Sequence, residues 1–336
     1  MKLVKTYLFI SSVFFLALIS GLRGGGDPDY INYLDIYNNS INGSSINIEP
    51  FYLYLNQLFK VNNIPFVFLI LIISMIAVNL KGYSIYKLSN YPFFSLIIYS
   101  FTIYLQFDLV AIRQGLALAF IMIAFLYFEK NRIISIFLIS FASLFHFAAI
   151  IVLPFTFICF KQHKSYLLFV LYIVLVILSL LKIDVPIYTM ILNHGFLPNF
   201  LINKLETYSS YDQSSALSIK QYIVSFIGII IYIYYKQNNI IKSMCLLYLY
   251  GCIISVLLSS VGDISYRIKW YFFFTEMFFI PIFIMGIYNK LKNENKNQSL
   301  LVLFYSSTLI FIFIFYVIPG LNFIESIHER GNYLIF

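Results

Sequence analysis

The 336 residues are 61% hydrophobic and 20% aromatic, with only 11% charged, against roughly 25% charged in an ordinary soluble domain. A water-soluble fold has too little interior for that much apolar surface, and no polar stretch is long enough to build a core of its own, so the chain reads as one membrane domain over residues 1–336. The formal net charge of +8 does not point to nucleic acid, because the cations are spread through short loops between apolar runs rather than gathered on one solvated face.

In chain order, the first apolar run, near residues 6–22, follows Lys2 and Lys5 and has the outline of a secretory signal. Its apolar stretch is long and no small-x-small cleavage site follows, so it is read as a retained span. A spanning helix needs about 20 mostly apolar residues, which places further spans near 64–80, 93–107, 110–128, 166–183, 219–235, 243–259, 267–288 and 299–318. The region 133–160 is too long for one ordinary helix and too short for two full spans with a loop. At 1.5 Å per residue, two arms of about 14 residues reach only about 21 Å each, against a hydrocarbon core of about 30 Å.

Loop charge decides between the two. With the N-terminus inside and 133–160 taken as an out-and-back pair, the cytoplasmic side holds Lys2, Lys5, Lys81, Lys87, Lys130, Arg132, Lys161, Lys164, Lys236, Lys242, Lys290, Lys292 and Lys296, with only the acids Glu129 and Glu294. The balance is +11 inside against −3 elsewhere, whereas one long helix would move the seven lysines from 161 to 296 outside. The predicted architecture is an all-α, polytopic transmembrane helical bundle of about ten to eleven membrane segments, with His146 near the turn between the paired arms and no evident internal repeat of the kind inverted-repeat transporters carry.

Two segments fall outside, 23–63 and 184–218, both rich in Asn, Ser, Tyr and Gly, and long loops of this kind tend to carry binding residues. In the first, GGGDPDY reads as a flexible turn. Glu49-Pro50 then opens FYLYLNQLFK, whose first-turn proline and one-sided apolar residues predict a short helix lying at the interface.

The remaining charges gather near the outer ends of spans: Arg23, Asp27 and Asp29, then Asp108 and Arg113, then Asp263 and Arg267, joined by His146. Charge at membrane depth costs several kcal/mol unless paired or facing water, which makes these functional candidates. Each has a plainer alternative. Arg23 ends a helix, Asp27 caps the next turn, Arg267 and Lys269 snorkel, and His146, in LFHFAAI with nothing polar adjacent, packs. Arg113 is the first polar residue of an otherwise apolar helix, beside Gln114 and Gly115, and function is the better reading there. Glu276 lies nearly mid-span with no partner visible in the sequence. His163, His194 and His328 read as loop residues, and Cys159, Cys245 and Cys252, without ligand spacing, as packing residues.

There is no GxxxxGK[ST], HExxH or GxSxG, so an ATPase, a zinc protease or a serine hydrolase has no support. Asp27-Pro28-Asp29 has the DxD form by which some enzymes hold nucleotide sugars through a metal, but it is placed outside, where nucleotide sugars are not expected. No metal ligands are assigned.

The run AIRQGLALAFIMIAFLYFEKNRIISIFLISFASLFHFAAIIVLPF, residues 111–155, resembles the central block of the EpsG family of Wzy-type polysaccharide polymerases, where an Arg-Gln-Gly-(Leu/Ile)-Ala opening precedes Leu-Phe-His, an apolar run and Leu-Pro. Arg23, Asp29-Tyr30, Tyr33, Glu49-Pro50 and Tyr266-Arg267 are similar in order and spacing, while Gly24 to Gly26 and Pro28 depart from the pattern. The resemblance implies a GT-C-like membrane glycosyltransferase of the bacterial cytoplasmic membrane. Such an enzyme extends an O-antigen, capsule or exopolysaccharide from repeat units on undecaprenyl pyrophosphate, both donor and acceptor, at the outer face. Membrane lipid surrounds it, and a chain-length regulator and a flippase are implied as partners.

In that chemistry a sugar hydroxyl attacks an anomeric carbon and a lipid pyrophosphate leaves, so fixed guanidiniums are needed where negative charge grows. Arginine suits this better than lysine because its planar fork is bidentate and never deprotonates. Arg113 and Arg267 are assigned to the pyrophosphate, with Arg23 third. His146 is the first candidate base, with Asp27 or Asp29 second, and Tyr30, Glu49, Gln114 and Tyr266 are assigned to substrate. No cofactor or metal is required if the arginines neutralise the leaving group. A lipid-linked glycan flippase and a ligase passing finished glycan to another acceptor remain as alternatives.

The charge balance generates one prediction. Single cysteines at 163 and 292 should resist an impermeant thiol reagent in intact cells, and those at 39 and 194 should react. Labelling at 163 without permeabilisation overturns the out-and-back reading of 133–160.

Overall fold

A chain surrounded by hydrocarbon must satisfy its backbone N–H and C=O groups internally, and a helix does so within one segment. The computed structural model describes residues 2–25, 27–41, 48–159, 164–181, 217–235, 239–258, 262–293 and 298–331, and among these every regular element is helical. Among the described residues, four helices are long and apolar enough to cross a bilayer: Leu3–Gly21, Phe66–Leu88, Asn239–Leu257 and Ser299–Ile327. A fifth candidate is a pair, Ser265–Phe273 and Glu276–Asn293, bent by 47°. Five shorter apolar helices accompany them. The protein is thus an all-helical, multi-pass membrane protein. The described residues form two compact units, one of Met1–Ile150 with Ile284–Phe336 and one of Ile151–Phe283.

In the first unit, α1 (Lys2–Gly21) packs along α4 (Phe66–Leu88). A Cβ on Gly82 would stand 2.4 Å from Val13 Cγ1, so the helices touch there backbone to side chain. Between them lie α2 (Pro28–Asn39) and α3 (Pro50–Val61). The predicted helix after Glu49-Pro50 is present, with Glu49 at its N-cap and Pro50 in its first turn. GGGDPDY does more than turn: Asp27 caps α2, its Oδ1 accepting from Tyr30 N at 2.8 Å, and Pro28 opens the helix.

Next come α5 (Pro92–Tyr99), running on as a π-helix over Ser100–Asp108, then α6 (Ile112–Tyr127) and α7 (Arg132–Ser143). Asn131 caps α7, accepting from Ile133 N and Ile134 N. Ser135 Oγ donates to Ala124 O at 2.7 Å and ties α7 to α6. The region 133–160 is broken at Leu144–His146, after which come a 3₁₀ turn, Phe147–Ile151, and α8 (Val152–Cys159).

The second unit is built on α11 (Asn239–Leu257), which contacts α8, α9 (Ser165–Leu180), α10 (Ile219–Tyr234) and α12 (Gly262–Phe273). The chain bends after α12 and continues as α13 (Glu276–Asn293). The last helical stretch, in the first unit, is α14 (Gln298–Ile312), a π turn over Phe313–Val317, and α15 (Ile318–Gly331).

Several boundaries differ from the sequence reading, and the span read over 267–288 is a pair of helices, Gly262–Phe273 and Glu276–Asn293, bent against each other. The last helical stretch runs to Gly331, beyond 318. Helix α4 continues to Leu88, so Lys81, read as a cytoplasmic loop residue, lies inside the helix with its side chain fully buried. A lysine near the end of an apolar run resembles a loop anchor until its partner is known. The outer segment 184–218, apart from 217 and 218, lies outside the described residues, as do His163 and His194.

Glycine sets the α11–α12 spacing: a Cβ on Gly251 would lie 2.3 Å from Phe272 Cβ. Gly251→Ala should force the helices apart at an overpacking cost of about 1–3 kcal/mol, read as a lower Tm in detergent. An unchanged Tm would mean that α12 is free to shift.

Candidate active site

The first unit brings most of the candidate residues together, and the turn before α6 is where this begins. The π-helix closes with Leu109 N donating to Tyr104 O at 2.9 Å and Ala111 N to Gln106 O at 3.0 Å, and α6 starts at once, placing Arg113 in its first turn. A Cβ on Gly115 would stand 2.7 Å from Phe107 O and 3.0 Å from Asp108 Oδ1. Only glycine lets α6 begin this close to the preceding backbone, which gives the Gly of Arg-Gln-Gly its physical reason. Gln114, between them, is buried.

Arg113 is met by the outer-loop helices. Its Nη1 pairs with Glu49 Oε2, the side chains being 21% and 6% exposed. Tyr33 of α2 and Tyr52 of α3 each present a ring 5.6 Å from the guanidinium carbon, within the range of a cation–π interaction. Burial pushes the Tyr33 phenol up to about 12, the Arg113 charge pulling the other way. Burial raises Tyr52 as well. Both are therefore neutral hydroxyls at physiological pH. Among the described residues Arg113 Nε has no hydrogen-bond partner. The result is a fixed, partly exposed guanidinium with unused donor capacity.

Arg23 lies nearby, close enough to act on both tyrosines electrostatically, yet its own nitrogens are taken by protein. Nε faces Asp27 Oδ2 at 3.1 Å, Nη1 donates to Asp108 O at 3.0 Å and Nη2 to Val110 O at 3.5 Å. Asp27 is buried, and burial pushes its carboxyl above the ordinary carboxylate range, against the pull of Arg23. Asp29, in the first turn of α2, is half-buried, as is Tyr30, whose ring meets Phe66 edge-on at 5.3 Å. Asp108 accepts from Lys81 Nζ at 2.5 Å and from Tyr99 OH at 2.6 Å.

His146 is tied to this group through α3. Two residues after Glu49, Phe51 N donates to Leu144 O at 3.3 Å, and Phe51 packs on Phe145 at 4.9 Å between ring centroids. His146 follows directly, 9% exposed, in the break after α7. The Glu49–Phe51 segment thus touches Arg113 at one end and the His146 turn at the other.

Arg267 and Tyr266 belong to the second unit, on α12. Tyr266 is exposed, Arg267 half-buried, and Lys269 Nζ lies 4.6 Å from the Tyr266 ring centroid. Glu276, without a visible partner in the sequence, accepts from Lys220 Nζ at 2.7 Å and Tyr248 OH at 3.3 Å. Cys245 and Cys252 are buried free thiols.

Sequence reasoning did not single out Lys81, Tyr99, Tyr52 or Lys220. No local pattern marks them, since each acquires its role from a partner 9 to 61 residues away, as Lys81 does from Asp108, 27 residues on. Among the described residues no group of three or more His, Cys, Asp or Glu could hold a metal ion.

In comparison with known proteins, the family model described as the EpsG family matches residues 6–326. No curated protein matches the chain, and no solved structure does.

The Glu49–Arg113 pair predicts a local effect. Glu49→Gln should loosen α3 from α6, seen as faster hydrogen–deuterium exchange over 50–61 with α6 unchanged. Exchange identical to the parent would assign the hold on α3 to the aromatic contacts alone.

Proposed function

The chain belongs to the EpsG family, a family of Wzy-type polymerases, and from that premise we propose that it joins undecaprenyl-pyrophosphate-linked repeat units by glycosyl transfer at the outer face of the membrane. The observation that carries this reading is Arg113. A guanidinium held by Glu49 between two tyrosines, with Nε unpaired and one fifth of the side chain exposed, is fixed before substrate arrives. That preorganisation is what stabilises charge growing on a leaving group.

The acceptor hydroxyl oxygen attacks the anomeric carbon of the donor sugar and forms the new glycosidic bond. The bond from that carbon to the pyrophosphate oxygen breaks, and undecaprenyl pyrophosphate departs with the electron pair. His146 takes the hydroxyl proton, with Asp29 second, since the Asp27 carboxyl is occupied by the α2 cap and Arg23. Arg113 meets the departing pyrophosphate. Tyr30 and Gln114, beside Asp29 and Arg113 in the sequence, are assigned to substrate, and the resemblance alone assigns Arg267 and Tyr266, on α12 of the second unit, to pyrophosphate and substrate.

The test is incubation of the purified protein with lipid-linked repeat units and separation of the products. A ladder supports polymerisation, unchanged substrate favours transport, and a requirement for a different acceptor favours ligation. Arg113→Lys keeps the charge but loses the bidentate fork, and should lower turnover about 10- to 100-fold, with Arg113→Ala lower still. His146→Gln should lower it about 10²- to 10⁴-fold at normal protein level. Full activity of correctly inserted Arg113→Lys removes the leaving-group role, and near-normal His146→Gln returns that residue to packing.

A further inference from the structure

The buried group Arg23, Lys81, Tyr99 and Asp108 has more in it than pairing requires. Lys81 and Asp108 have side-chain exposures of 0% and 1%, and an ion pair taken so fully out of water gives little net stability against apolar residues of the same size. Its location is informative. Asp108 ends the π-helix, and five residues later stands Arg113. The carboxylate is gripped from α4 by Lys81 at 2.5 Å and from α5 by Tyr99 at 2.6 Å. The same residue's carbonyl is gripped by Arg23 at 3.0 Å, with Val110 O at 3.5 Å. Gly115 then closes α6 onto Phe107 O and Asp108 Oδ1. The four-residue turn that delivers Arg113 is thereby fixed from α4, from α5 and from the segment between α1 and α2.

We propose that Asp108 is the positioning residue for Arg113, held by Lys81 and Tyr99, and that Arg23 serves this turn rather than the substrate. The inference rests on the reading of Arg113 as the group that meets the leaving pyrophosphate. Arg23 is turned wholly into the protein: Nη1 and Nη2 donate to backbone carbonyls, Nε stands 3.1 Å from Asp27 Oδ2 as an ion pair, and its side chain is 1% exposed. Arg113 by contrast is 21% exposed. The two arginines of this neighbourhood thus divide into one that reaches outward and one that sets the backbone beneath it. A guanidinium that stabilises charge only in the transition state is sensitive to displacement of its helix start, because misplacement of about 1 Å can cost about 100-fold in rate.

A residue acting through Arg113 loses its effect when Arg113 is already impaired, whereas one with an independent role does not. Steady-state chain extension by the purified full chain measures this, with Asp108→Asn placed in the parent and in Arg113→Lys. In the parent, turnover should fall about 10- to 100-fold with the half-saturating concentration of lipid-linked substrate within about twofold. In Arg113→Lys the added loss should be below about twofold. Losses that multiply in full, or turnover unchanged in the parent, overturn the proposal. Should Asp108→Asn fail to insert, Tyr99→Phe, which removes a single donor from the same carboxylate, carries the same comparison. Full activity of Arg113→Lys removes the leaving-group reading and this inference with it. A strong loss in Arg113→Lys with independent loss in Asp108→Asn removes this inference alone.

Discussion

Arg113 at the start of an apolar helix imposes a requirement that organises the first unit. A permanent positive charge at that position is costly in an apolar surrounding, and the one acid close by in the sequence, Asp108, is taken by Lys81 and Tyr99. The partners come from the outer segment instead: Glu49 supplies the counter-charge, and Tyr33 and Tyr52 supply ring faces. To do so, α2 and α3 must fold against α6. The local sequence prepares them, with Asp27-Pro28 starting one helix and Glu49-Pro50 the other. The partners on α2 and α3 are therefore held where the charge is, and the charge is tolerable because they are held there.

The same reasoning extends inward. Asp108, Lys81, Tyr99 and Arg23 satisfy one another across four segments, so removing one member leaves another charge buried, which is where such networks are most sensitive. In the second unit Lys220 and Glu276, from α10 and α13, follow the same rule with Tyr248 as the additional donor. Among the described residues, the buried pairs Lys81–Asp108 and Lys220–Glu276 join helices distant in sequence. A paired guanidinium that is still one fifth exposed, as at Arg113, therefore stands apart from the buried Arg23, and membership of a polymerase family gives that exposure a use.

Much of this was legible in the chain. Apolar runs gave the all-helical membrane class, and polar residues interrupting those runs gave Arg23, Asp27, Asp108, Arg113 and His146. The motif block 111–155 gave the family that the match over 6–326 establishes. The helix after GGGDPDY was legible in principle, since Asp followed by Pro is a start signal, but three glycines ahead of it read more strongly as a turn. Lys81 was not legible, because a lysine at the end of an apolar run is explained equally well by a loop. Nor was the purpose of Gly115, which depends on the carbonyl of Phe107 lying against α6.

By itself the sequence determined what must leave water and where most of the apolar helices lie, because hydrophobicity is a local property of consecutive residues. It also determined which side chains carry charge into apolar surroundings. The tertiary structure alone decided which of those charges neutralise one another and which keeps a donor unused. That depends on pairings across 27 residues for Lys81 and Asp108, 64 for Glu49 and Arg113, and 85 for Arg23 and Asp108. A coulombic contact is set by distance in space, and no periodicity along the chain records it.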